Sequence, residues 1–365
     1  MIIKEKPKFE QLKDLLLRQF KSGRYKAGDK IPSETELAEK YGLNRETVNK
    51  TILTLVASGT LIRKRGCGTY IAIPRKEQRL KLGIVICPAM ISDGQPVEMF
   101  NYVDVFGGIS KATAELNCEL EIISKEKFRF YAEDILGFVK DKKLDGILSY
   151  GYNPNDEKIA VALKNESVPY VVIACWDNGG KVNLVTVDIE NGCLELVKYL
   201  LGKGHSNIAC LSISEKAMIS IAPRIRGIVK ALSLNNVYKE KYSLKFENNN
   251  EIGHTLDALL KTRELPSAIL TTTDLAAFSV IEHLGEKGIR TPNDISIASI
   301  DDIEKASISE PPLTTLRIPR DKMGYEGVML TVKLKKSANG SFEKVVIATE
   351  LKIRESCIRM PAKNC

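Results

Sequence analysis

Residues 31–73 are IPSETELAEKYGLNRETVNKTILTLVASGTLIRKRGCGTYIAI, and their pattern decides the fold of the amino-terminal part of the chain. Ser33 stands just before an amphipathic run, and Glu36 follows three residues later. This is the spacing of a capping box, in which the serine hydroxyl and the glutamate carboxylate each bond a backbone N–H at the start of a helix. The segment therefore predicts a helix, ETELAEKYG, that ends at Gly42.

A second helix is predicted from about Arg45 to Ser58, with Asn44 as its cap. Its apolar residues recur at helical spacing and define one buried face: Val48, Ile52, Leu55 and Val56. Two short helices in this order form a helix-turn-helix, whose second helix enters the major groove of DNA by its amino end. The residues of that helix expected at base edges or phosphates are Arg45, Glu46, Thr47, Asn49 and Lys50.

The two β-prone runs LIRKR and TYIAI flank the turn GCG, which predicts a short hairpin, or wing. Arg63, Lys64 and Arg65 in the first run are placed to reach phosphates or a neighbouring groove. Each signal alone also fits a small helical domain with a solvated basic hairpin. Their order, spacing and shared charge together favour DNA binding.

The segment from about Lys8 to Ile73 resembles the winged-helix domain of the GntR regulators over its whole length. The resemblance implies DNA contacts by Arg45 and Thr47 and by the wing glycines Gly66 and Gly68. The full set of expected DNA-binding residues is Ser33, Thr35, Asn44, Arg45, Glu46, Thr47, Asn49, Lys50, Arg63, Lys64, Arg65, Gly66, Gly68 and Thr69.

Two positions depart from that family's pattern. Thr35 and Asn49 each stand where the family commonly has arginine. Asparagine pairs bidentately with adenine, whereas arginine favours guanine. The operator preference of this chain is therefore expected to be shifted from the family's.

The charge of the chain is divided unequally along its length. The 365 residues carry a net charge of +8, yet residues 1–80 hold 18 basic and 9 acidic side chains, and the remainder holds 36 and 37. A uniformly basic chain would indicate a general polyanion binder or a membrane-surface protein. This division instead indicates a DNA-binding module joined to a nearly neutral part, whose ligand we expect to be neutral.

The composition of the chain narrows the class of protein further. Hydrophobic residues make up 44% of the chain, enough for substantial cores, and no apolar run approaches the ~20 residues of a membrane span. The amino terminus MIIKEKPKFE has no apolar signal region, so we expect a cytoplasmic protein with no membrane partner. The eight cysteines include no C-x-x-C pair and are expected to be mostly buried free thiols; disulfides, metal ligation and a redox role for Cys67 are the weaker alternatives.

After the polar segment PRKEQR, strand-like and helix-like segments alternate from LGIVIC to ISIASIDD. Short continuous apolar strands between amphipathic helices predict parallel sheets covered on both faces. The expected fold class is α/β, an N-terminal winged helix-turn-helix plus a two-lobed domain with doubly wound parallel sheets. The expected domains are 1–73 for DNA binding, a linker at 74–80, and 81–365 for effector binding and dimerisation.

The second domain resembles the sensor domain of the LacI repressors, which is similar to periplasmic sugar-binding proteins. The resemblance covers about Leu80 to Cys357 and lies in the motifs VDIENG, KGHSNIACLS, PRIRG, ILTTTDLAAF, TPNDISIASIDD and PPLTTLRIP. Both domains together resemble the arabinose-type GntR/LacI chimeric repressors. The fold implied for residues 81–365 is therefore periplasmic-binding-protein-like.

That resemblance also implies the effector site. Arg224 matches an arginine that grips effector hydroxyls, and Asp274 matches an acidic residue that accepts hydroxyl protons. A guanidinium and a carboxylate at two strand ends suit the adjacent hydroxyls of a polyol, and an aromatic ring suits its C–H face. The remaining expected effector contacts are Trp176, Asp177, Tyr102 and Phe246. The alternatives are core packing for Trp176 and a surface salt bridge for Arg224 and Asp274.

The favoured function is a ligand-responsive repressor that binds double-stranded operator DNA as a homodimer and is released by a neutral monosaccharide. An enzyme is the first alternative, but no G-x-S-x-G, H-E-x-x-H, Walker or G-x-G-x-x-G motif supports it, and the three histidines are scattered. We therefore expect no catalytic residues, metal or cofactor. The other alternative is an architectural DNA binder without an effector.

Overall fold

The computed structural model describes residues 6–72, 79–86, 99–123, 131–152, 155–175, 177, 179–215, 221–262, 264–337 and 341–360. The chain divides into two compact units, Met1–Arg79 and Leu80–Cys365. Trp176 and most of the predicted linker lie outside the described residues, and so does the side chain of Tyr102.

The first unit is a winged helix-turn-helix. Its elements are α1 (Lys8–Lys21), α2 (Glu34–Tyr41), α3 (Arg45–Ala57), β1 (Leu61–Lys64) and β2 (Gly68–Ile71). One small core, which includes Leu16, Leu37, Ile52 and Leu61, packs the three helices against the wing. The predicted helix ends are confirmed: Ser33 makes both bonds of a capping box with Glu36, and Gly42 ends α2 in the left-handed conformation.

The second unit alternates strands and helices. Its helices are α4 (Met99–Glu115), α5 (Ala132–Lys142), α6 (Asp156–Asn165), α7 (Ile189–Gly202), α8 (Ala222–Leu234), α9 (Ile252–Leu260), α10 (Asp274–Glu286), α11 (Glu304–Ile308) and α12 (Arg320–Lys336). Its strands are β3 (Lys81–Ile86), β4 (Glu119–Ile123), β5 (Gly146–Tyr150), β6 (Tyr170–Ile173), β7 (Asn183–Val187), β8 (Ile208–Ile213), β9 (Ser243–Phe246), β10 (Ala268–Thr271), β11 (Ser296–Asp301), β12 (Thr314–Arg317), β13 (Lys344–Ile347) and β14 (Glu350–Lys352).

These strands form two six-stranded sheets, which define two lobes. The first lobe has the order β13-β7-β6-β5-β3-β4, and the second has the order β14-β12-β11-β10-β8-β9. Every pairing is parallel except that of β14, which runs antiparallel to β12. The predicted doubly wound parallel sheets are confirmed, with this edge strand as the exception.

The chain crosses between the lobes at three places. It leaves the first sheet after β7 at Val187, and α7 then packs against α8, β12 and β14. It returns after β12 through α12, which packs on α4, β5 and β6. The third crossing, 348–349, joins β13 in the first sheet to β14 in the second. One hydrophobic core runs through both lobes and includes Val187, Leu316 and Ile318 near these crossings.

Helices α4 and α12 approach closely in the first lobe because each presents glycine at their contact. A Cβ atom on Gly108 would lie 1.8 Å from the carbonyl oxygen of Asp321, and one on Gly324 would lie 2.1 Å from that of Val105. Only residues without side chains fit at this contact. Helix α12 therefore belongs to the first lobe, although the strand that leads into it belongs to the second.

The cysteines of the described part are free thiols, as predicted. Cys193, Cys210 and Cys357 are buried, and Cys67 is exposed in the wing turn. Burial raises the pKa of Cys193 and of Cys210 to about 12, so neither thiol forms the reactive thiolate at neutral pH.

Candidate DNA-contacting surface and candidate effector site

The start of α3 presents an open polar surface. Arg45, Glu46 and Lys50 are exposed, and Thr47 and Asn49 are half-buried. The Lys50 ammonium lies 4.3 Å from the centroid of the Phe9 ring. These side chains share the amino-terminal half of one helix, the part that a helix-turn-helix presents to base edges.

Two of the predicted DNA-contacting residues hold helix ends instead. The hydroxyl of Ser33 accepts the backbone N–H of Glu36 at 3.3 Å, while the Ser33 N–H donates to the Glu36 carboxylate at 2.7 Å. The side-chain oxygen of Asn44 accepts the backbone N–H of Thr47 at 2.8 Å. Because those oxygen atoms satisfy backbone N–H groups at helix starts, Ser33 and Asn44 position the helices, and their DNA contacts stay a prediction.

Arg63 is also engaged within the protein. Its guanidinium forms an ion pair with Glu34, the first residue of α2, and donates to the side-chain oxygen of Asn49 at 3.4 Å. Glu34 offsets the charge of Arg63, and the phosphate contact expected of Arg63 from the sequence stays a prediction. Lys64 lies over the Tyr70 ring at 4.8 Å.

The wing turn depends on glycine. Gly66 has φ +74° and Gly68 has φ +114°, backbone conformations that residues with side chains rarely adopt. A Cβ atom on Gly68 would also lie 2.6 Å from Cε of Lys30. Both predicted wing glycines are therefore required by the backbone itself, and Arg65 beside them is exposed.

The candidate effector site begins with Arg224, near the start of α8. Its side chain is buried, with 5% of the residue's surface exposed. The guanidinium donates to the carbonyl oxygen of Thr272 at 2.7 Å and contacts a carboxylate oxygen of Asp301 at 2.9 Å. Thr272 and Asp301 stand at the carboxyl ends of the neighbouring strands β10 and β11, which is where ligands bind in parallel α/β folds.

A second arginine, Arg320, contacts the same carboxylate of Asp301. Arg320 is the first residue of α12, is 3% exposed, and donates to the same Asp301 oxygen at 2.6 Å. Sequence reasoning singled out neither Arg320 nor Asp301. Asp301 lies in the motif TPNDISIASIDD that carried the LacI resemblance, and Arg320 directly follows the motif PPLTTLRIP. A charged residue at or shortly after the end of an apolar strand is the signal that marks them.

The charges of this cluster support one another. Burial alone would raise the pKa of Asp301, but the two guanidinium groups outweigh it and hold that pKa below its ordinary value. Burial acts to lower the pKa of Arg320, but the negative charge of Asp301 acts in the other direction, and the pKa of Arg320 is raised. Cys175 and Tyr150 also interact electrostatically with Arg320. Because Tyr150 ends β5 in the first lobe, Arg320 lies where the two lobes meet.

Two buried polar atoms of the cluster have no hydrogen-bond partner among the described residues. They are Nε of Arg320 and Oγ1 of Thr272. A buried polar atom without a partner is costly, and in native proteins such atoms commonly mark a place for water or a ligand. The cluster therefore has an N–H donor and a hydroxyl group that are open to a further partner.

Asp274 differs from its predicted role. It is fully buried, one oxygen accepts the Thr315 hydroxyl at 2.7 Å, and the other accepts the Ile303 N–H at 2.9 Å. Burial, reinforced by the nearby charge of Asp301, raises its pKa to about 6. Both oxygens are thus used inside the second lobe, and Asp301 is the carboxylate that meets Arg224.

Two further predicted effector contacts stay predictions, and the structure shows what each of them contacts. Phe246 is 3% exposed and packs in the core of the second lobe. Asp177 is an exposed residue whose carboxylate pairs with Lys344 at 2.7 Å and accepts the Gly179 N–H at 2.8 Å. These bonds lower the pKa of the Asp177 carboxyl. They also hold its side chain at the amino end of β13, because Lys344 is the first residue of that strand. Trp176 and Tyr102 stay predictions, since the structure does not describe their side chains.

The two units match two different protein families. Residues 8–71 match the bacterial regulatory proteins of the gntR family, and residues 197–357 match the periplasmic binding protein-like domain. The chain is a GntR/LacI-type chimera. The first domain is of a type found in bacterial regulatory proteins, and the second is periplasmic binding protein-like.

Relatives of this chimera cover nearly its whole length. It is 27% identical to the arabinose metabolism transcriptional repressor of Geobacillus stearothermophilus, over 97% of this chain and 99% of that protein. It is 26% identical to the protein of the same name from Halalkalibacterium halodurans, over 90% of each chain.

Solved structures share the fold of the second unit. A LacI-family regulatory protein from Chloroflexus aggregans aligns with a TM-score of 0.66 and 21% identity over 77% of this chain and 99% of that one. A LacI-family regulator from Enterococcus faecium with bound ribose aligns with a TM-score of 0.61 and 19% identity, over 77% of this chain and all of that one.

Proposed function

We propose that this GntR/LacI-type protein is a sugar-responsive transcriptional repressor of the cytoplasm. It binds operator DNA through α3 and the wing, and a neutral monosaccharide bound between the lobes lowers its affinity for the operator. The observation that carries the effector part is the cluster of Arg224, Asp301 and Arg320 at the carboxyl ends of the second-lobe strands.

The unpartnered atoms of the cluster fit a polyol. Nε of Arg320 is a donor, and the hydroxyl of Thr272 can donate or accept. Adjacent hydroxyl groups of a sugar each donate and accept, so a vicinal diol can satisfy both atoms at once. The names of the two full-length relatives and the ribose bound to a structural neighbour support a pentose as the first candidate.

The balance of charge supports a neutral ligand. Arg224 and Arg320 carry two positive charges, while Asp301 carries one negative charge because its pKa is lowered. Asp274, with a pKa of about 6, adds a second negative charge in most molecules at pH 7. A phosphorylated sugar would bring charge into a site that is already balanced, and uncompensated buried charge is unfavourable.

We propose that the protein acts as a homodimer on a palindromic operator. One recognition helix reads only one short half-site, and a two-fold symmetric dimer reads two half-sites about one helical turn apart. Sedimentation of the full chain with and without operator duplex tests this. A monomer bound singly to an asymmetric site would contradict the dimer.

The test of effector binding has two stages. Thermal unfolding of the full chain is measured with arabinose, ribose, xylose, glucose, their phosphates and no ligand, because a ligand of the folded state raises the unfolding temperature. Operator affinity is then measured by fluorescence anisotropy with the sugar that raised the unfolding temperature. We expect a neutral pentose to stabilise the protein and to weaken operator binding. A sugar that stabilises the protein without changing operator affinity would contradict the regulatory part.

An enzyme is the competing function, and little in the structure favours it. In the described ranges no group of three or more histidine, cysteine, aspartate or glutamate side chains is placed to hold a metal ion. Full-length relatives are regulators by name, so we propose a non-enzymatic protein. A product assay with the bound sugar would test this proposal.

In the described ranges no helix has the length and apolar character needed to cross a bilayer.

A further inference from the structure

A cavity lies in the first lobe between the end of α6 and the end of α12. Its volume is about 390 Å³, within the range of small-molecule sites in proteins. Tyr170 and Asn183, the first residues of β6 and β7, line it together with the last turns of the two helices. The cavity therefore stands at the amino ends of these strands.

Helix α12 separates this cavity from the effector cluster. The helix begins at Arg320, which pairs with Asp301, and it ends at Lys336, which lines the cavity. Its 17 residues span about 25 Å at the rise of an α-helix. The cavity is therefore distinct from the proposed sugar site.

The wall of the cavity is positively charged. Three lysines line it, and no carboxylate stands among its described lining residues. Lys164 belongs to the last turn of α6, and Lys335 and Lys336 belong to the last turn of α12. Lys335 pairs with Asp145 at 3.4 Å, whereas the exposed Lys336 has no ion pair with any described residue. Such a wall favours an anion.

The cavity also has an apolar side. Val168 and Tyr170 are buried in it, and the ring of Phe342 is partly open, with 36% of the residue exposed. The Lys164 ammonium lies 5.4 Å from the centroid of that ring. An ammonium group and an aromatic face thus stand together, which suits a ligand that joins an anionic group to an apolar or planar body.

The amide of Asn183 is already bonded within the protein. Its NH2 group donates to the Tyr170 carbonyl oxygen at 2.9 Å, and its oxygen accepts the Glu343 N–H at 3.0 Å. These bonds hold the start of β7 to the starts of β6 and β13. The lysines are therefore the groups that recognise the anion.

Phosphate suits three lysines better than a carboxylate does. A lysine ammonium is a compact charge with three donors. A phosphate monoester carries nearly two negative charges at neutral pH and three strong acceptor oxygens, whereas a carboxylate has one charge and two oxygens. Lysines in a last turn also stabilise the helix end without any ligand. That role requires neither a cavity between two helix ends nor an open aromatic ring beside it.

We propose that this cavity binds a small phosphorylated metabolite. Lys164, Lys335 and Lys336 hold its phosphate, and its body packs against Phe342. The site is independent of the proposed sugar response, since none of its lining residues belongs to the effector cluster.

The experiment is calorimetric titration of the full chain at low salt. Phenyl phosphate, a phosphate monoester on a planar ring, is the test ligand, and it is compared with inorganic phosphate, benzoate and benzyl alcohol. The variants are Lys336→Met, Lys336→Glu, Phe342→Leu and Lys158→Met, each checked for an unchanged unfolding temperature. Lys158 is the matched control, because it is an exposed lysine of α6 that does not line the cavity.

We expect one phenyl phosphate per chain with a Kd of about 1 mM or below, the range for a ligand of this size. Lys336→Met should weaken binding about tenfold, the lower range for a hydrogen bond to a charged group, and Lys336→Glu should weaken it further. Phe342→Leu should weaken phenyl phosphate but not inorganic phosphate, and Lys158→Met should change neither.

Four results would overturn the proposal. Absence of binding at about 10 mM phenyl phosphate would remove the site, since even an inefficient ligand of this size binds more tightly. Equal affinity in wild type and Lys336→Met would place the ligand elsewhere on the protein. An equal loss in Lys158→Met would show attraction to surface charge alone. Tighter binding of benzoate than of phenyl phosphate would assign the cavity to carboxylates.

Discussion

Arg320 and Asp301 form a buried ion pair of 2.6 Å that joins the first residue of α12 to the last residue of β11. Arg320 also donates to the Asp301 carbonyl oxygen at 3.3 Å, and Asp301 has φ +143°, a conformation rare for residues with side chains. Because α12 packs in the first lobe and β11 lies in the second, this pair couples the lobes at the proposed ligand site.

Replacing Arg320 with methionine should destabilise the protein and weaken effector binding. Asp301 would keep only Arg224 as a partner, and breaking a buried ion pair costs about 3 kcal/mol in free energy of unfolding. Urea unfolding and calorimetric titration with the effector sugar measure the two effects. The matched control is Arg317→Met, since that arginine is 36% exposed in its ion pairs and should cost less than about 1 kcal/mol. Equal losses in both variants would contradict the prediction.

The stability of the second unit should depend on Asp274 at acidic pH. Its pKa is about 6 in the folded state and 3.8 in the reference state, so the folded protein binds the extra proton more tightly. The resulting stabilisation is fully present below pH 3.8 and is lost as the pH rises through 6. It amounts to about 3 kcal/mol for a shift of this size.

Asp274→Asn removes this titration and retains the shape of the side chain. We expect the difference in unfolding free energy between wild type and Asp274→Asn to shift in favour of wild type as the pH falls from 7 to 4. Urea unfolding at several pH values measures it. Parallel pH profiles for the two proteins would show that Asp274 does not titrate in this range.

The contact between α4 and α12 should not accept a single methyl group. Gly108→Ala places its Cβ 1.8 Å from the Asp321 carbonyl oxygen, so the helices must separate, at a cost of about 3 kcal/mol. Gly107→Ala is the control in the same helix, because nothing lies within 4 Å of its Cβ position. Alanine should stabilise that exposed helical position by about 0.5 kcal/mol. Urea unfolding of the three proteins separates these opposite effects, and a stable Gly108→Ala protein would refute the close packing.

Removing the cap of α3 should weaken DNA binding without changing its base preference. Asn44→Ala leaves the Thr47 N–H without its acceptor and costs about 1 kcal/mol of helix stability. Asn44→Asp keeps an acceptor at the same place and should restore stability. Circular dichroism melting and operator titration follow both variants. A changed base preference in Asn44→Ala would instead assign Asn44 a direct contact with DNA.

Local signals in the sequence were sufficient to predict the helix ends of the DNA-binding unit. The capping pattern of Ser33, the cap at Asn44 and the glycine after α2 act over a few residues, so sequence spacing alone predicts the helix ends. The contact of Arg63 with Glu34 and Asn49 could not be predicted in this way, since it joins three elements that come together only in the folded unit.

In the second unit, too, the sequence predicts local structure but not contacts between residues that are distant in sequence. Its alternating strands predict parallel sheets, and Arg224 does lie at their carboxyl ends. Motif position selected Asp274, but the partners of its two carboxylate oxygens are Thr315 and Ile303, which are distant in sequence. Phe246 looked like a candidate ring because it is aromatic, and only packing shows that it belongs to the core.

The three passages of the chain between the lobes limit how the sensor unit can move. Two bodies joined by one peptide can twist and swing in any direction, whereas three neighbouring connections resist twisting and leave bending about one line as the easiest motion. Ligand closure would then be a hinge-like rotation with one degree of freedom. A single protease cut at 348–349 would leave two connections in place, so the lobes should stay together after cleavage while the rotation loses its fixed axis.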